Sequence, residues 1–175
     1  MSSEPFEIER KFLIRRPSEA WLSANAERSD IEQTYLVRPD GGGRARVRKR
    51  STSLSTIYTH TVKHRVNDLR ALELEEEIDE DEYRLLLRQA DPKRRTIFKS
   101  RYCLPFGGHV FEIDVFPFWP DQALMEIELD CEEQNFAMPE GIDVIREVTA
   151  DKNYSNASLA RQLFEAEQSC SERKE

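Results

Sequence analysis

The chain has 175 residues, enough for one domain with a real core, and 34% of them are charged against 38% hydrophobic. With 34 acids, 26 bases and a net charge of −8, it lacks the net basic surface of a general nucleic-acid or anionic-membrane binder. No apolar run approaches the roughly 18 residues of a membrane span, and MSSEPFEIER has no signal-peptide pattern. The cysteines Cys103, Cys131 and Cys170 form no metal or disulfide motif, so a cytoplasmic protein with buried free thiols is expected.

Most of the chain alternates with period two, the pattern of strands with one apolar face. EPFEIERKFLI opens the first strand, 5–14, with Glu7, Glu9 and Lys11 on one face and Phe6, Ile8 and Phe12 on the other. A short helix runs through PSEAWLSANA, capped by Ser18. Strands at 32–38 and 43–51 flank RPDGGG, whose glycines lack the G-K-[ST] of a phosphate-binding loop and read as a turn. Strands at 56–66 and 69–79 lead to a helix, DEDEYRLLLRQA, with acids in its first turn and Tyr83, Leu86, Leu87 and Ala90 along one stripe.

Strands at 96–104 and 109–116 flank LPFGGH, a hairpin turn. PFWP breaks the chain before a strand at 123–131, and a shorter strand lies near 145–149. The last helix, NASLARQLFEAEQ, sets Leu159 and Leu163 on one face, and 168–175 reads as a frayed tail. No repeat or linker divides the chain, so a single domain over 1–175 is expected, its core at about 5–165.

The polar parity of these strands is nearly single-signed. Arg44, Arg46, Arg48 and Arg50 share one face, as do Thr61, Lys63 and Arg65; then come Glu73, Glu75 and Glu77, Lys99 and Arg101, Glu112 and Asp114, and Glu126, Glu128 and Asp130. An ordinary wet face mixes charge signs, because like charges stacked across strands repel. Eight antiparallel strands can close into a barrel, which removes the exposed edges. The ionic face then lies inside and the apolar face outside, under the three helices. Buried like charges need partners; a polyphosphate for the bases and Mg²⁺ or Mn²⁺ for the carboxylates would supply them. Glu7 and Glu9 are candidate metal ligands and Lys11 a candidate phosphate contact. The expected fold is therefore α+β, a closed eight-stranded antiparallel barrel with a charged interior.

The E-x-E-x-K of Glu7, Glu9 and Lys11 resembles the hallmark of the CYTH superfamily, the triphosphate tunnel metalloenzymes. The resemblance runs over about residues 5 to 165. Arg46-Val47-Arg48, Thr61-Val62-Lys63, Lys99-Ser100-Arg101, Glu112-Ile113-Asp114 and Glu126-Ile127-Glu128 resemble successive strand motifs of that family, and Glu73 and Glu75, with Glu77, its acidic strand. EVTADKNYSNASLA resembles the closing segment of its short bacterial members, which implies Lys152 at the tunnel mouth. The resemblance implies a metal held by Glu7, Glu9 and Glu128 with Glu126 nearby. It implies phosphate contacts from Lys11, Arg46, Arg48, Lys63, Lys99 and Arg101, and a water or second metal governed by Glu73, Glu75 and Asp114. Which of Glu73, Glu75 and Glu77 face the site stays open.

The activity implied first is hydrolysis of inorganic triphosphate to pyrophosphate and phosphate, on a small anionic substrate and by a monomer or homodimer. An adenylyl cyclase of this fold, a thiamine triphosphatase and a non-catalytic polyphosphate or nucleotide sensor remain as alternatives. SDIEQTYLV lacks the histidine-bearing motif associated with such cyclases. His60 and His64 fall on the outward parity, too far apart on a strand to share a metal, and are read as surface residues, while His109 begins a strand and is read as structural; Tyr35 and Tyr58 are read as packing residues.

Overall fold

A computed structural model describes residues 6–38 and 43–172. In chain order it contains β1 (Phe6–Arg15), α1 (Glu19–Asn25), β2 (Glu27–Leu36), β3 (Arg44–Ser51), β4 (Thr56–Arg65) and β5 (Arg70–Ile78). There follow α2 (Glu80–Leu86), β6 (Ile97–Phe106), β7 (His109–Val115), β8 (Gln122–Glu128), β9 (Val144–Glu147) and α3 (Asn156–Glu172). The strands pair antiparallel in the order β5-β4-β3-β2-β6-β7-β8-β1, and β1 returns to β5, closing an eight-stranded barrel. β9 is a ninth strand outside the ring, paired to β1.

β1 divides one edge between two partners. Its Phe6–Ile8 end pairs with β5, while Phe12–Ile14 pairs with β9; the other edge runs along β8 from Glu9 to Arg15. The closing seam with β5 is thus three residues long, and the barrel wall parts beyond it.

Local chemistry sets the element ends. Ser18 accepts from Trp21 N–H and Asp79 from Glu82 N–H, capping α1 and α2. The β6–β7 hairpin turns on Gly107 and Gly108, both at positive φ, with Phe106 opposite His109. Of the RPDGGG turn, 39–42 lie outside the described residues. Gly43 has φ +72°, and a Cβ there would stand 2.7 Å from the His64 ring and the Lys63 carbonyl.

Alternation buries the outward parity of β1, β6, β7 and β8. Phe12, Ile14, Phe111, Ile113, Met125 and Ile127 form one core under α1 and the 129–144 segment, with Trp21, Phe136 and Ile142 packed on it. A second core, Ala45, Val47 and Ile78 with Tyr83, lies under α2, where Tyr58 packs on Tyr83 at 4.9 Å. Leu74 and Phe98 stay exposed, so the helices cover the outer face only in part.

Toward the C-terminal end of β1 the inward parity turns from ionic to apolar. Leu13, Ile97, Phe116 and Leu124 cluster there with Tyr35, and α3 seals them with Ala157, Leu159 and Ala160. Burying each large side chain stabilises by about 1.5–3 kcal/mol, which offsets part of the cost of desolvating the ions beside it. The bore is filled on that side.

Three expectations are corrected. β2 begins at Glu27, five residues before the expected 32, because both of its faces read as polar. Outward Arg28 pairs with Asp30 at 3.0 Å and Glu32 with Lys49 at 3.3 Å, while inward Ser29 and Gln33 are buried. The expected tail from 168 is helix through Glu172: no Gly or Pro stops α3, and Ser169 and Ser171 hydroxyls donate to the Glu165 and Glu167 carbonyls; residues 173–175 lie outside the described residues. The thiols are free, but Cys131 and Cys170 are exposed and Cys103 is half-buried, not buried. Among the described residues no helix is long and apolar enough to cross a membrane.

Candidate active site

Period-two geometry puts every second residue of eight strands into one bore, a cavity of about 730 Å³. Glu7, Glu9 and Lys11 line it from β1, Arg46 and Arg48 from β3, Thr61 and Lys63 from β4, and Glu73 and Glu75 from β5. Lys99 and Arg101 enter from β6, Glu112 from β7, and Glu126 and Glu128 from β8. Asp114 is fully buried just behind, against Lys99 and Arg101. Lys152 is exposed in the short turn Lys152–Tyr154, outside the lining; its neighbours Asp151 and Asn156 line the cavity instead. Glu77 and Asp130 are exposed and do not line it.

Register converts the single-signed strands into cross-strand ion pairs. Lys11 stands opposite Glu126 and pairs with it at 2.9 Å. Lys63, opposite Glu73, reaches Glu73 at 3.3 Å, Glu9 at 3.8 Å and Glu7. Arg46 meets Glu73 at 3.2 Å, Arg48 meets Glu75 at 3.0 Å, and the Thr61 hydroxyl donates to Glu75 at 2.8 Å. Arg101 forks onto Asp114 at 2.7 and 2.8 Å and also reaches Glu112, with Glu126 at 3.7 Å. Lys99 pairs with Asp114 at 2.5 Å.

Burial acts on all of these charges, and neighbours decide the net direction. Burial and then Arg101 bring Lys99 down to about 8, against the pull of Asp114. Burial would raise Asp114, but Arg101 and Lys99 outweigh it and hold the carboxyl low; Glu126 is held low in the same way by Lys11 and Arg101. Glu9 is raised by burial and by Glu126, and Glu128 by burial and by Glu7 and Glu112. Glu7 is raised by burial despite Lys63. The Glu7–Glu9–Glu128 corner is therefore the electronegative side of the bore, and a cation there would relieve it.

Lys99 gives a pH prediction. Its charge is present below about 8 and is lost as pH rises through that value, so binding of an anionic ligand is expected to weaken on the alkaline side. Lys99→Arg is expected to move that limb upward, because a guanidinium keeps its proton. Calorimetric affinity for triphosphate against pH reads this; a limb that stays in place would remove Lys99 from the contact set.

Other candidates resolve as follows. His60 faces outward, 3.1 Å from Glu76, and the His109 ring meets Phe136 edge-on at 6.4 Å. Gln33 and Tyr35 line the bore, and the Gln33 amide donates to the Tyr35 hydroxyl at 2.8 Å, so Tyr35 is more than a packing residue. Arg44, Arg50 and Arg65 also line the cavity. The signal for the three arginines is the strand parity they share with assigned neighbours; Gln33 and Tyr35 lie on a strand with none, and their place follows from the register that sets them opposite Arg48 and Arg46.

An eight-stranded antiparallel barrel with paired acids and bases turned into its bore defines a tunnel protein with an ionic interior. Two crystal structures of NE1496, called an inorganic triphosphatase in one of them, are similar to this chain at 31% and 30% identity. The matches cover 89% and 92% of this chain and 97% and 96% of that one, each with a TM-score of 0.57. PH1819 from Pyrococcus horikoshii shares the fold at 19% identity, over 72% of this chain and 80% of that one, with a TM-score of 0.55. No family model and no curated protein sequence matches. The chain belongs to the CYTH superfamily of triphosphate tunnel metalloenzymes.

Proposed function

We propose that the protein is a metal-dependent hydrolase that cleaves inorganic triphosphate to pyrophosphate and phosphate inside the bore. The observation that carries this reading is the pair of Nε–H groups on Arg46 and Arg48, both buried in the lining and both without an acceptor among the described residues. A buried donor left unmet costs about 1–3 kcal/mol, and a phosphoryl oxygen is the acceptor that guanidinium geometry suits. The triphosphatase name of NE1496 supports the same substrate class.

The donor set fits a hard divalent cation, Mg²⁺ or Mn²⁺: all four candidates are carboxylates on adjacent strands, with Glu9 and Glu128 direct register partners. As the side chains stand, Lys63 holds Glu7 and Glu9, Lys11 holds Glu126, and no three acidic, histidine or cysteine groups among the described residues are arranged to hold a metal. Glu7, Glu9, Glu126 and Glu128 would hold the ion, which when bound would neutralise charge developing on phosphate oxygens.

The chain's own residues supply the rest. Lys11, Arg46, Arg48, Lys63, Lys99 and Arg101 bind phosphoryl oxygens and keep the phosphate chain in line. Asp114, held low by two cations, is a poor base; it fixes Lys99 and Arg101 in place. Glu73 and Glu75, directly on the lining, orient the attacking water, and Lys63 balances the transferred phosphoryl group. Phosphoryl transfer depends on positioning and electrostatics, so no serine or cysteine nucleophile is needed.

The test is phosphate release from triphosphate, ATP and thiamine triphosphate with Mg²⁺ or Mn²⁺, alongside a cyclic AMP assay. Release from triphosphate, with equal pyrophosphate, is expected. Cyclic AMP from ATP would put a cyclase in its place, and silence on every substrate would leave a sensor. Arg48→Ala is expected to raise KM and lower kcat together, reducing kcat/KM about ten- to hundredfold as one charged hydrogen bond is lost; parent-like kinetics would show that Arg48 does not reach the substrate.

A further inference from the structure

Closure of the barrel leaves β5 half-paired. Its register with β4 runs without a shift from Ile78 to Ala71, but β1 reaches it only at Phe6–Ile8, opposite Leu72, Ala71 and Arg70. Beyond Leu72, among the described residues, no strand stands on that side of β5. The Glu9 N–H donates to the Leu69 carbonyl at 3.1 Å, and the Val66 N–H, just past β4, donates to the Arg70 carbonyl at 2.9 Å. Backbone groups of a strand alternate in direction, so the even-numbered residues of β5 face β4. Glu73, Glu75 and Glu77 turn their N–H and C=O groups to the open edge.

Such a row is a template for another strand, and chains ordinarily blunt it with lysine, proline, a bulge or a covering segment. Residues 73–78 read Glu-Leu-Glu-Glu-Glu-Ile, with no lysine, proline or shift of register, and Leu74 to Glu77 are exposed. The side chains beside the edge define what fits it. On the inward parity Glu73 is held by Arg46 and Lys63 and Glu75 by Arg48, whereas Glu77 forms no ion pair among the described residues. On the outward parity Leu74 is 55% exposed, with Leu72 and Phe6 alongside. A strand laid here sets one parity against acids and the other against hydrocarbon. A second copy of β5 does not suit, because acids would stand directly opposite acids. Met1 to Pro5 contain no lysine or arginine, so they do not complement the acids either.

We propose that the open edge of β5 is a docking site for an extended segment of a partner protein, one in which lysine or arginine alternates with apolar residues. The segment adds as a strand along Glu73–Ile78. Backbone hydrogen bonds to Glu73, Glu75 and Glu77 give the pairing, its bases meet Glu75 and Glu77, and its apolar residues pack on Leu74. The inference goes beyond the triphosphatase reading and does not rest on it.

The test is fluorescence anisotropy of a labelled Lys-Val-Lys-Val-Lys-Val-Lys peptide titrated with the full chain. Glu-Val-Glu-Val-Glu-Val-Glu and Lys-Lys-Lys-Lys-Val-Val-Val are the controls. The alternating lysine peptide is expected to bind at least about tenfold more tightly than either. Amide exchange by NMR locates it: in the free protein the Glu75 and Glu77 N–H groups should exchange faster than those of Leu74 and Glu76, and saturating peptide should slow them at least about tenfold. Glu77→Pro removes an edge-facing donor and a charge without costing a bond to β4, and should weaken the peptide about tenfold. Glu77→Lys, which keeps the donor, should weaken it about fivefold. No binding, equal binding of all three peptides, or binding that leaves the Glu75 and Glu77 exchange unchanged would overturn the site. Slow exchange of those amides in the free protein would overturn it too: protection that grows with protein concentration would assign the edge to a second copy, and protection independent of concentration to the same chain.

Discussion

Arg101→Met is expected to destabilise the barrel by about 3–5 kcal/mol, the cost of removing one partner from a buried charge cluster. Arg101 is the hub of that cluster: it forks onto Asp114, reaches Glu112 and stands 3.7 Å from Glu126. Methionine fills similar volume but leaves Asp114, fully buried, with Lys99 alone. Urea midpoints at pH 7 measure the loss, and phosphate release is expected to vanish with it. The pH dependence has a definite sign. The folded Asp114 carboxyl is held below its ordinary value, so its contribution is present above the ordinary carboxylate range and is lost as pH falls. The gap between parent and variant should therefore narrow as pH falls through that range. Arg101→Lys keeps the charge without the fork and should recover part of the stability. An unchanged midpoint in the methionine variant would show that the cluster does not hold the barrel together.

The ionic bore was legible because strand geometry has no freedom of phase. Once Glu7, Glu9 and Lys11 share a face, Phe6, Ile8 and Phe12 must take the other, and repetition in later strands fixes one interior. Capping gave the start of α1 through Ser18, and α2 was marked by the acids of its first turn, which Asp79 precedes as the cap. What stayed hidden depends on contacts between segments distant in the chain. Leu13, Ile97, Phe116 and Leu124 have inward parity but lie at the side covered by α3, and alternation says nothing of which side a helix covers. β2 hid its first half because the Arg28–Asp30 ion pair on one face and buried Ser29 on the other leave Ile31 as the one apolar residue of 27–31. Lys152 sits in a turn, where parity gives no direction, and the chain there turns Asp151 and Asn156 to the cavity. Signs of charge were readable, but not the partners: the threefold grip of Lys63 on Glu7, Glu9 and Glu73 arises from the three-residue β1–β5 seam.

Glu9→Gln is expected to lower turnover of triphosphate at least about 100-fold, the upper end of what loss of a group that merely supports a metal ligand costs, while leaving the metal-free protein at least as stable as the parent. Both effects follow from one cause. Burial first, and then Glu126, raise the Glu9 pKa despite Lys11 and Lys63, so the charge the chemistry needs is one that folding disfavours. A raised carboxyl binds more protons folded than unfolded between its ordinary and its shifted value, so its share of stability falls as pH rises through that window. Glutamine removes the titration and flattens that part of the curve. Thermal midpoints across pH in EDTA read the stability half, and the stabilisation by Mg²⁺ with triphosphate reads the binding half, since any ligand of the folded state raises the midpoint by mass action. A variant that keeps the ligand-induced shift and its turnover would remove Glu9 from the metal corner. One that loses stability without ligand would instead mean that the Lys63 contact at 3.8 Å outweighs burial, and Glu9 would be tying β1 to β4 across the β1–β5 seam rather than holding an ion.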